Sequence, residues 1–403
     1  MITGLGIVSP LGAGATTFWD ALLSGASGAQ RISLERVGVI TAYPVEGVDE
    51  AARAHFGQRE IRRMDRVGRL AAIASAMALD DAGPHGVDPE RIGASIGSIH
   101  GGAQTLFDAH ETLVTRGADR VSPLTIPLGL TNSAVAAAAR VLGIQGPTSV
   151  TGTACAAGSD AIGTGIGLIR DGRADIVIAG GAEAPLSPLV VAGYRQLGAL
   201  SQSERPPSEA SRPFDRERDG FVMAEGAGVL ILEDRIRALA RGARIYAEVV
   251  GYASTCDAGH LTDPDPAGAG AARAIRLALA DAGVAAEAVG YVNAHATSTP
   301  SGDRAEAHAL CAAGVGHAAV SSTKSAHGHA LGAAGGIEAI VTALSLASQT
   351  LPATLNLNSP DPDVTLDHVL TPRPAAIEIA ISNSFGFGGH NACIVMRKHH
   401  PGA

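Results

Sequence analysis

Short uncharged runs of β-branched and small residues alternate along this chain with longer Ala-rich stretches of helical period. The runs at 2–8, 92–99, 148–151, 176–179, 229–232, 245–250, 289–293, 377–381 and 392–396 predict strands. The stretches at 17–23, 60–81, 134–142, 156–169, 271–281, 303–312 and 335–347 predict helices. Within 60–81 the apolar positions Met64, Val67, Leu70, Ala71 and Ile73 recur at helical spacing. The stretch 156–169 carries no charge except Asp160 and shows small residues on every side, the pattern of a helix buried all round. Gly180-Gly181 would end the strand at 176–179, and Gly283 the helix before it. Strands without charge along their length need cover on both faces, so the order implies a mixed or parallel sheet between helical layers. A polar loop at 202–213 precedes a weak boundary near 235–245, and no repeat of fixed period is visible.

Composition narrows this picture. The 403 residues suffice for one two-part domain or two domains. With 46% hydrophobic residues and a net charge of only −9, the chain is not a disordered one. The 51 glycines follow no three-residue period, so collagen is excluded, and the negative charge argues against a nucleic-acid partner. There are 28 Arg but only two Lys, Lys324 and Lys398, so a Lys inside the chain stands out. The four cysteines, Cys155, Cys256, Cys311 and Cys393, lie far apart with no zinc-type spacing, which fits a reduced cytoplasmic protein without a bound metal. No signal peptide is evident, and the charge-free stretch 121–139 contains Pro123 and Pro127, which makes it a poor membrane span.

Four constellations could carry chemistry. In Thr153-Ala154-Cys155-Ala156-Ala157-Gly158-Ser159 a strand runs into a cysteine and a buried helix follows. A helix N-terminus favours thiolate, the nucleophilic form, and offers backbone N–H groups to an oxyanion; the plainer reading is a small buried structural Cys. In Asn293-Ala294-His295-Ala296-Thr297-Ser298-Thr299 a strand ends at a histidine and a hydroxyl-rich turn, where ligands of α/β folds bind, although a core histidine would look the same. Lys324 stands five residues before His329, with His327 between them and a Gly-rich apolar stretch beyond. In Asn383-Ser384-Phe385-Gly386-Phe387-Gly388-Gly389-His390-Asn391 a Gly-rich turn with two Phe suggests close backbone approach to a ligand, or an ordinary hairpin. One Cys, two or three His and an interior Lys, without a dinucleotide fingerprint, fit acyl transfer through a thioester. Read without further help, the same set also fits a Cys-His thioester hydrolase.

These motifs, in this order, resemble the elongating β-ketoacyl synthases. So do Thr3-Gly4-Leu5-Gly6, Ser211-Arg212-Pro213-Phe214-Asp215, Asp219-Gly220-Phe221-Val222 and Ala224-Glu225-Gly226-Ala227-Gly228. The resemblance implies a thiolase-like α/β fold of five layers, αβαβα, with two similar halves: residues 1–240 carrying the nucleophile and 241–403 the His/Lys motifs. It implies that Cys155 takes an acyl chain from an acyl carrier protein, and that malonyl carrier protein is decarboxylated with help from His295 and His329. The carbanion then attacks the Cys155 thioester, extending the chain by two carbons. It casts Lys324 as an organising cation beside Glu306 and Glu338, with Asp303 in support. The N–H groups of Cys155 and Phe387 would form an oxyanion hole and Phe387 a gate; Thr297, Thr299, Phe385, Gly386 and Gly388 would contact substrate. Substrates would ride on phosphopantetheine with no permanent cofactor. The acidic carrier would dock on Arg62, Arg63, Arg66 and Arg205. The chain departs from the family pattern at Ala296, His327 and His390; the two histidines would either tune the pocket or be neutral.

The family also implies a dimer, either of two copies or with a chain-length-factor subunit. Ser159-Asp160, the Arg bias and 185–191 lean towards a reducing, polyene-like type II polyketide system. Thr153-Ala154-Cys155 and Ala179-Gly180-Gly181-Ala182-Glu183 lean towards fatty-acid elongation. The polyketide setting is the expectation and fatty-acid elongation the alternative. A non-catalytic chain-length-factor-like subunit is more remote, since such subunits lack the nucleophile.

Overall fold

The structure, a computed structural model, describes residues 1–400. Its frame consists of β1 (Ile2–Ser9), α1 (Arg66–Ala82), β2 (Ile92–Gly97), α2 (Ser133–Leu142), β3 (Thr148–Thr151), α3 (Ala157–Arg170), β4 (Ile176–Glu183) and β5 (Gly226–Glu233), then β6 (Ala247–Cys256), α4 (Ala269–Ala282), β7 (Val289–Asn293), α5 (Pro300–Ala312), β8 (Ala319–Ser321), α6 (Ala334–Ser348), β9 (Ile379–Gly386) and β10 (His390–Lys398). In the first half the strands lie in the order β3-β2-β4-β5-β1, in the second β8-β7-β9-β10-β6. The directions repeat too. β2 is parallel to β3 and β4, and β7 to β8 and β9. The last two strands of each half join antiparallel, and the sheets meet edge to edge at Ile2 and Ala247.

Helices complete five layers. α1 and α2 cover the outer face of the first sheet, α4 and α5 that of the second, and α3 and α6 lie between the sheets. The central strands are buried from end to end, as uncharged strands between helices must be. The thiolase-like, mixed α/β fold expected from the family resemblance is therefore present, duplication included.

The two halves are built on the same local device. A Cβ on Gly4 of β1 would lie 2.1 Å from the Ala78 carbonyl oxygen of α1, and one on Gly251 of β6 2.3 Å from that of Ala278 in α4. Each glycine thus lets its helix rest directly on the strand. Asp81 at the end of α1 accepts the Leu5 N–H at 2.9 Å, and Asp281 of α4 accepts that of Tyr252 at 3.0 Å.

Two expectations need correction. The helix expected over 60–81 is two helices, Gln58–Ile61 and α1, because Asp65 caps α1 by accepting the Val67 N–H and so fixes its start. β4 continues through Gly180-Gly181 to Glu183 instead of ending there. A Cβ on Gly181 would lie 2.3 Å from the Gly332 carbonyl oxygen, so the glycine admits the turn before α6 instead of ending the strand. The helix Ala103–Arg116 and the hairpin of Gln30–Leu34 with Gly38–Ala42 were not expected at all. One helical stretch, Leu331–Ser348, is long and apolar enough to cross a membrane, but it lies in the core between the sheets.

Candidate active site

Both inner helices are entered through a tight 3₁₀ turn, Ala154–Ala156 before α3 and Leu331–Ala333 before α6. The first residue of each turn has a positive φ, +50° at Ala154 and +48° at Leu331, in the region that L-residues rarely occupy. That strain sets Cys155 at the head of α3, between the sheets. His329 reaches the same point from the other half. Its N–H bonds the Val222 carbonyl at 2.9 Å and its carbonyl accepts the Ala224 N–H at 3.0 Å. The result is a 3.2 Å contact between His329 Nε2 and Cys155 Sγ.

His295 completes the group from the end of β7. Glu306 of α5 accepts the N–H groups of His295 and Ala296 at 2.9 and 2.7 Å, and Asn383 also donates to it. The ring of His295 stands edge-on to His329 (centroids 5.4 Å apart) and to Phe385 (5.8 Å). The ligand atoms of Cys155, His295 and His329 all lie within 4.8 Å of one another. The Nδ1 atoms of both histidines have no hydrogen-bond partner, so neither ring is locked in one tautomer.

Burial dominates the electrostatics. It pushes the Cys155 thiol up to about 12, with Glu183 adding to the effect; Lys324 and the backbone N–H groups of Phe387 and Cys155 pull the other way. The sequence-based expectation of a thiolate is therefore reversed at this buried sulfur. Burial and Lys324 hold His295 and His329 well below the ordinary imidazole range, so both are neutral at physiological pH. Lys324 is fully buried and pairs with Glu338 of α6. Glu306 makes its direct bonds to the His295 loop instead of a close ion pair with Lys324, although the Lys324 charge still acts on it. Burial lifts Glu306 and Glu338 to about 7, opposed by their hydrogen bonds and Lys324.

A cavity of about 220 Å³ opens over the sulfur, lined by Cys155, His295, His329, Thr297, Thr299, Phe385, Gly386 and Phe387. Thr297 and Thr299 bond each other through their hydroxyls at 3.1 Å. Asp303 holds this loop by accepting the N–H groups of Ser298 and Phe214. The segment Ser211–Asp215 thereby fastens the His295 loop to the first half, which accounts for its place among the motifs. Gly388 does not line the cavity; it lies one step back at φ +80°, with its N–H on the Leu261 carbonyl. Neither His327 nor His390 lines it. His327 is buried with Nε2 3.0 Å from the Thr323 hydroxyl and its ring near Phe18, while His390 folds back over Gly388.

The four expected docking arginines separate. Arg66 bonds Glu225 at 2.6 and 2.8 Å and the Val45 carbonyl, so its guanidinium is already engaged within the chain. Arg205 pairs with Glu217, and Arg63 lies 3.9 Å from Glu60. Arg62 is exposed and has no carboxylate partner among the described residues. Three site residues escaped sequence reasoning. Glu183 is a buried carboxylate accepting the Ile99 and His100 N–H groups, and a single acid closing an apolar strand was its signal. Tyr194 and Phe221 pack edge to face beside the sulfur, and only their rarity in a chain with 3% aromatics could have marked them.

The domain family described as beta-ketoacyl synthase, N-terminal domain, matches residues 1–238, and its C-terminal domain matches 246–358. The chain is 45% identical to the 3-oxoacyl-[acyl-carrier-protein] synthase 2 of Synechocystis sp., over 99% of this chain and 98% of that one. It is 40% identical to the protein of the same name in Vibrio cholerae, with the same coverage. Among solved structures, a type II polyketide synthase acyl carrier protein in complex with its ketosynthase bound to the hexaketide (AntDE:AntF) superposes with TM-score 0.89 and 35% identity. The ishigamide ketosynthase/chain length factor superposes with TM-score 0.91 and 34% identity. In both cases 99% of this chain and 98% of the other are covered.

Proposed function

The chain belongs to the beta-ketoacyl synthase family and is an acyltransferase of the ketosynthase type, and from that premise we propose that Cys155, His295, His329 and Lys324 carry its chemistry. The observation that carries this reading is the convergence of Cys155 from one half with His295 and His329 from the other on one buried point. Cys155 Sγ attacks the thioester carbonyl of an acyl chain borne on carrier-protein phosphopantetheine. Its proton passes to His329 Nε2 and leaves on the pantetheine thiol. The N–H groups of Cys155 and Phe387, which favour negative charge at the sulfur, would receive the oxyanion formed beside it. The substrates bring all the reacting groups, so the reaction needs no resident cofactor.

In the second half-reaction the malonyl thioester loses carbon dioxide and leaves an enolate. Neutral imidazoles in the Nε2–H form donate to the enolate oxygen, and a dry cavity strengthens both bonds. The enolate carbon attacks the acyl-Cys155 carbonyl, the C–S bond breaks, and a β-ketoacyl thioester two carbons longer departs. Lys324 with Glu338 fixes the charge of the site from behind.

The relatives at 40–45% identity support extension of the fatty-acid type. A polyketide setting, the reading favoured by Ser159-Asp160, draws support from the two solved ketosynthases that come from such systems or carry a chain length factor. A dimer, with itself or with such a subunit, and a cytoplasmic location belong to both readings. Incubation with malonyl carrier protein, co-purification of any partner and mass analysis of the products separates them. A homodimer making saturated-chain precursors supports fatty-acid synthesis; a heterodimer making polyenes supports the polyketide reading. For the chemistry itself, Cys155→Gln is expected to keep or raise malonyl decarboxylation while condensation stops. Loss of decarboxylation in a folded Cys155→Gln protein contradicts the assigned role of the histidines.

A further inference from the structure

Asp160 lies in the first turn of α3, five residues beyond Cys155, and is buried with both carboxylate oxygens engaged. Oδ2 accepts the hydroxyl of Thr153, two residues before the nucleophile, and Oδ1 accepts the hydroxyl of Tyr252 at 2.6 Å. Tyr252 belongs to β6, in the other half. Its ring rests on Gly163 of α3, where a Cβ would lie 2.3 Å from the ring carbons. Thr153 in turn takes part in the wall of the nucleophile turn. Its carbonyl accepts the Ala156 N–H at 3.1 Å, and the backbone at Gly386 is pressed so close that a Cβ there would lie 3.0 Å from the Thr153 carbonyl oxygen and 2.8 Å from the Cys155 nitrogen.

We propose that Asp160 is a positioning residue for the nucleophile: through Thr153 on one side and Tyr252 on the other, it ties the strained Cys155 turn to the second half and holds Sγ in register with His329. The proposal rests on Cys155 being the acylated residue. Two hydroxyl donors on one buried carboxylate form a charge-assisted network that resists displacement. Burial raises the Asp160 carboxyl above its ordinary range, opposed first by the hydroxyls of Thr153 and Tyr252 and then by His390.

The test is single-turnover acylation of Cys155 from an acyl carrier protein, with KM for malonyl carrier protein and thermal midpoints measured in parallel. Tyr252→Phe and Thr153→Val are each expected to slow acylation by about tenfold, the scale of a small misplacement of reacting atoms, with KM changed by less than about twofold. The double variant is expected to be no slower than the slower single one by more than about twofold, because both changes release the same brace. Gly163→Ala, which pushes the Tyr252 ring off α3, reproduces Tyr252→Phe. Gly167→Ala on the same helix, where a Cβ meets nothing within 4 Å, matches the parent. Parent-like acylation in Tyr252→Phe with only a lowered thermal midpoint overturns the proposal, and so do multiplicative losses in the double variant. If the parent itself forms no acyl-Cys155, the catalytic reading beneath the proposal fails instead.

Discussion

At Cys155 two influences of opposite sign meet. The head of α3, Lys324 and two N–H groups favour thiolate, while burial and Glu183 favour thiol, and burial prevails. With the thiol lifted to about 12, thiolate grows about tenfold per pH unit across the neutral range. Alkylation of the free protein by iodoacetamide is therefore expected to keep accelerating from pH 7 to 10; a plateau near pH 7 contradicts this. His327 shows the same physics on a base. Burial and Lys324 lower it to about 3 in the fold, against 6.5 in the unfolded chain. Below 6.5 the unfolded chain binds the proton and the fold does not, so stability is lost as pH falls from 6.5 towards 3. Acid unfolding of His327→Thr should thus begin at lower pH than in the parent, followed by circular dichroism. Lys324→Ala strands the buried Glu338 charge and is expected to cost about 3–5 kcal/mol in urea unfolding; a loss below about 1 kcal/mol contradicts the buried pair. The residues of this site were legible in the sequence because they sit in unusual local company. Glu306 was legible, but its bonds to the N–H groups of His295 and Ala296 were not, since nothing local says which way a helix turns its acid. Tyr252 was not legible at all, because it meets Asp160 from 92 positions away.

Among the elements, the turns that deliver side chains matter more than the helices themselves. The uncharged strands and the buried helices α3 and α6 were readable from periodicity and lack of charge. Their limits were misread where a polar side chain or a glycine acts on its neighbour across space, as at Asp65 and Gly181. Asp65→Ala removes the α1 cap and is expected to cost about 1 kcal/mol, read from the urea midpoint. The turn after β9 is under tighter constraint. A Cβ at Gly386 would meet the Cys155 nitrogen at 2.8 Å, so Gly386→Ala is expected to slow acylation by at least about tenfold through displacement of the oxyanion donors. An unchanged acylation rate would show that this backbone approach has no part in catalysis.

The whole molecule is a duplicated fold whose candidate site takes residues from both copies of the plan. The first half places the thiol at the entrance to α3; the second places His329 before the matching α6 and His295 at the end of β7. No sequence repeat revealed this. Residues 10–65 separate β1 from α1, whereas residues 257–268 separate β6 from α4, so the shared Gly4/Gly251 and Asp81/Asp281 devices fall at different spacings. The surface is a separate matter from the core. Arg62→Glu is expected to raise KM for carrier-bound substrate while kcat and turnover of a small thioester stay unchanged, because rim charges act on encounter. The most direct test of Cys155 as the acylated residue is intact-protein and peptide mass spectrometry after mixing with acyl carrier protein donor and then malonyl carrier protein. The expected result is an acyl group on the Cys155 peptide, absent in Cys155→Ala, that disappears into a β-ketoacyl product two carbons longer. Release of the acyl group as free acid, or acylation that persists in Cys155→Ala, contradicts it.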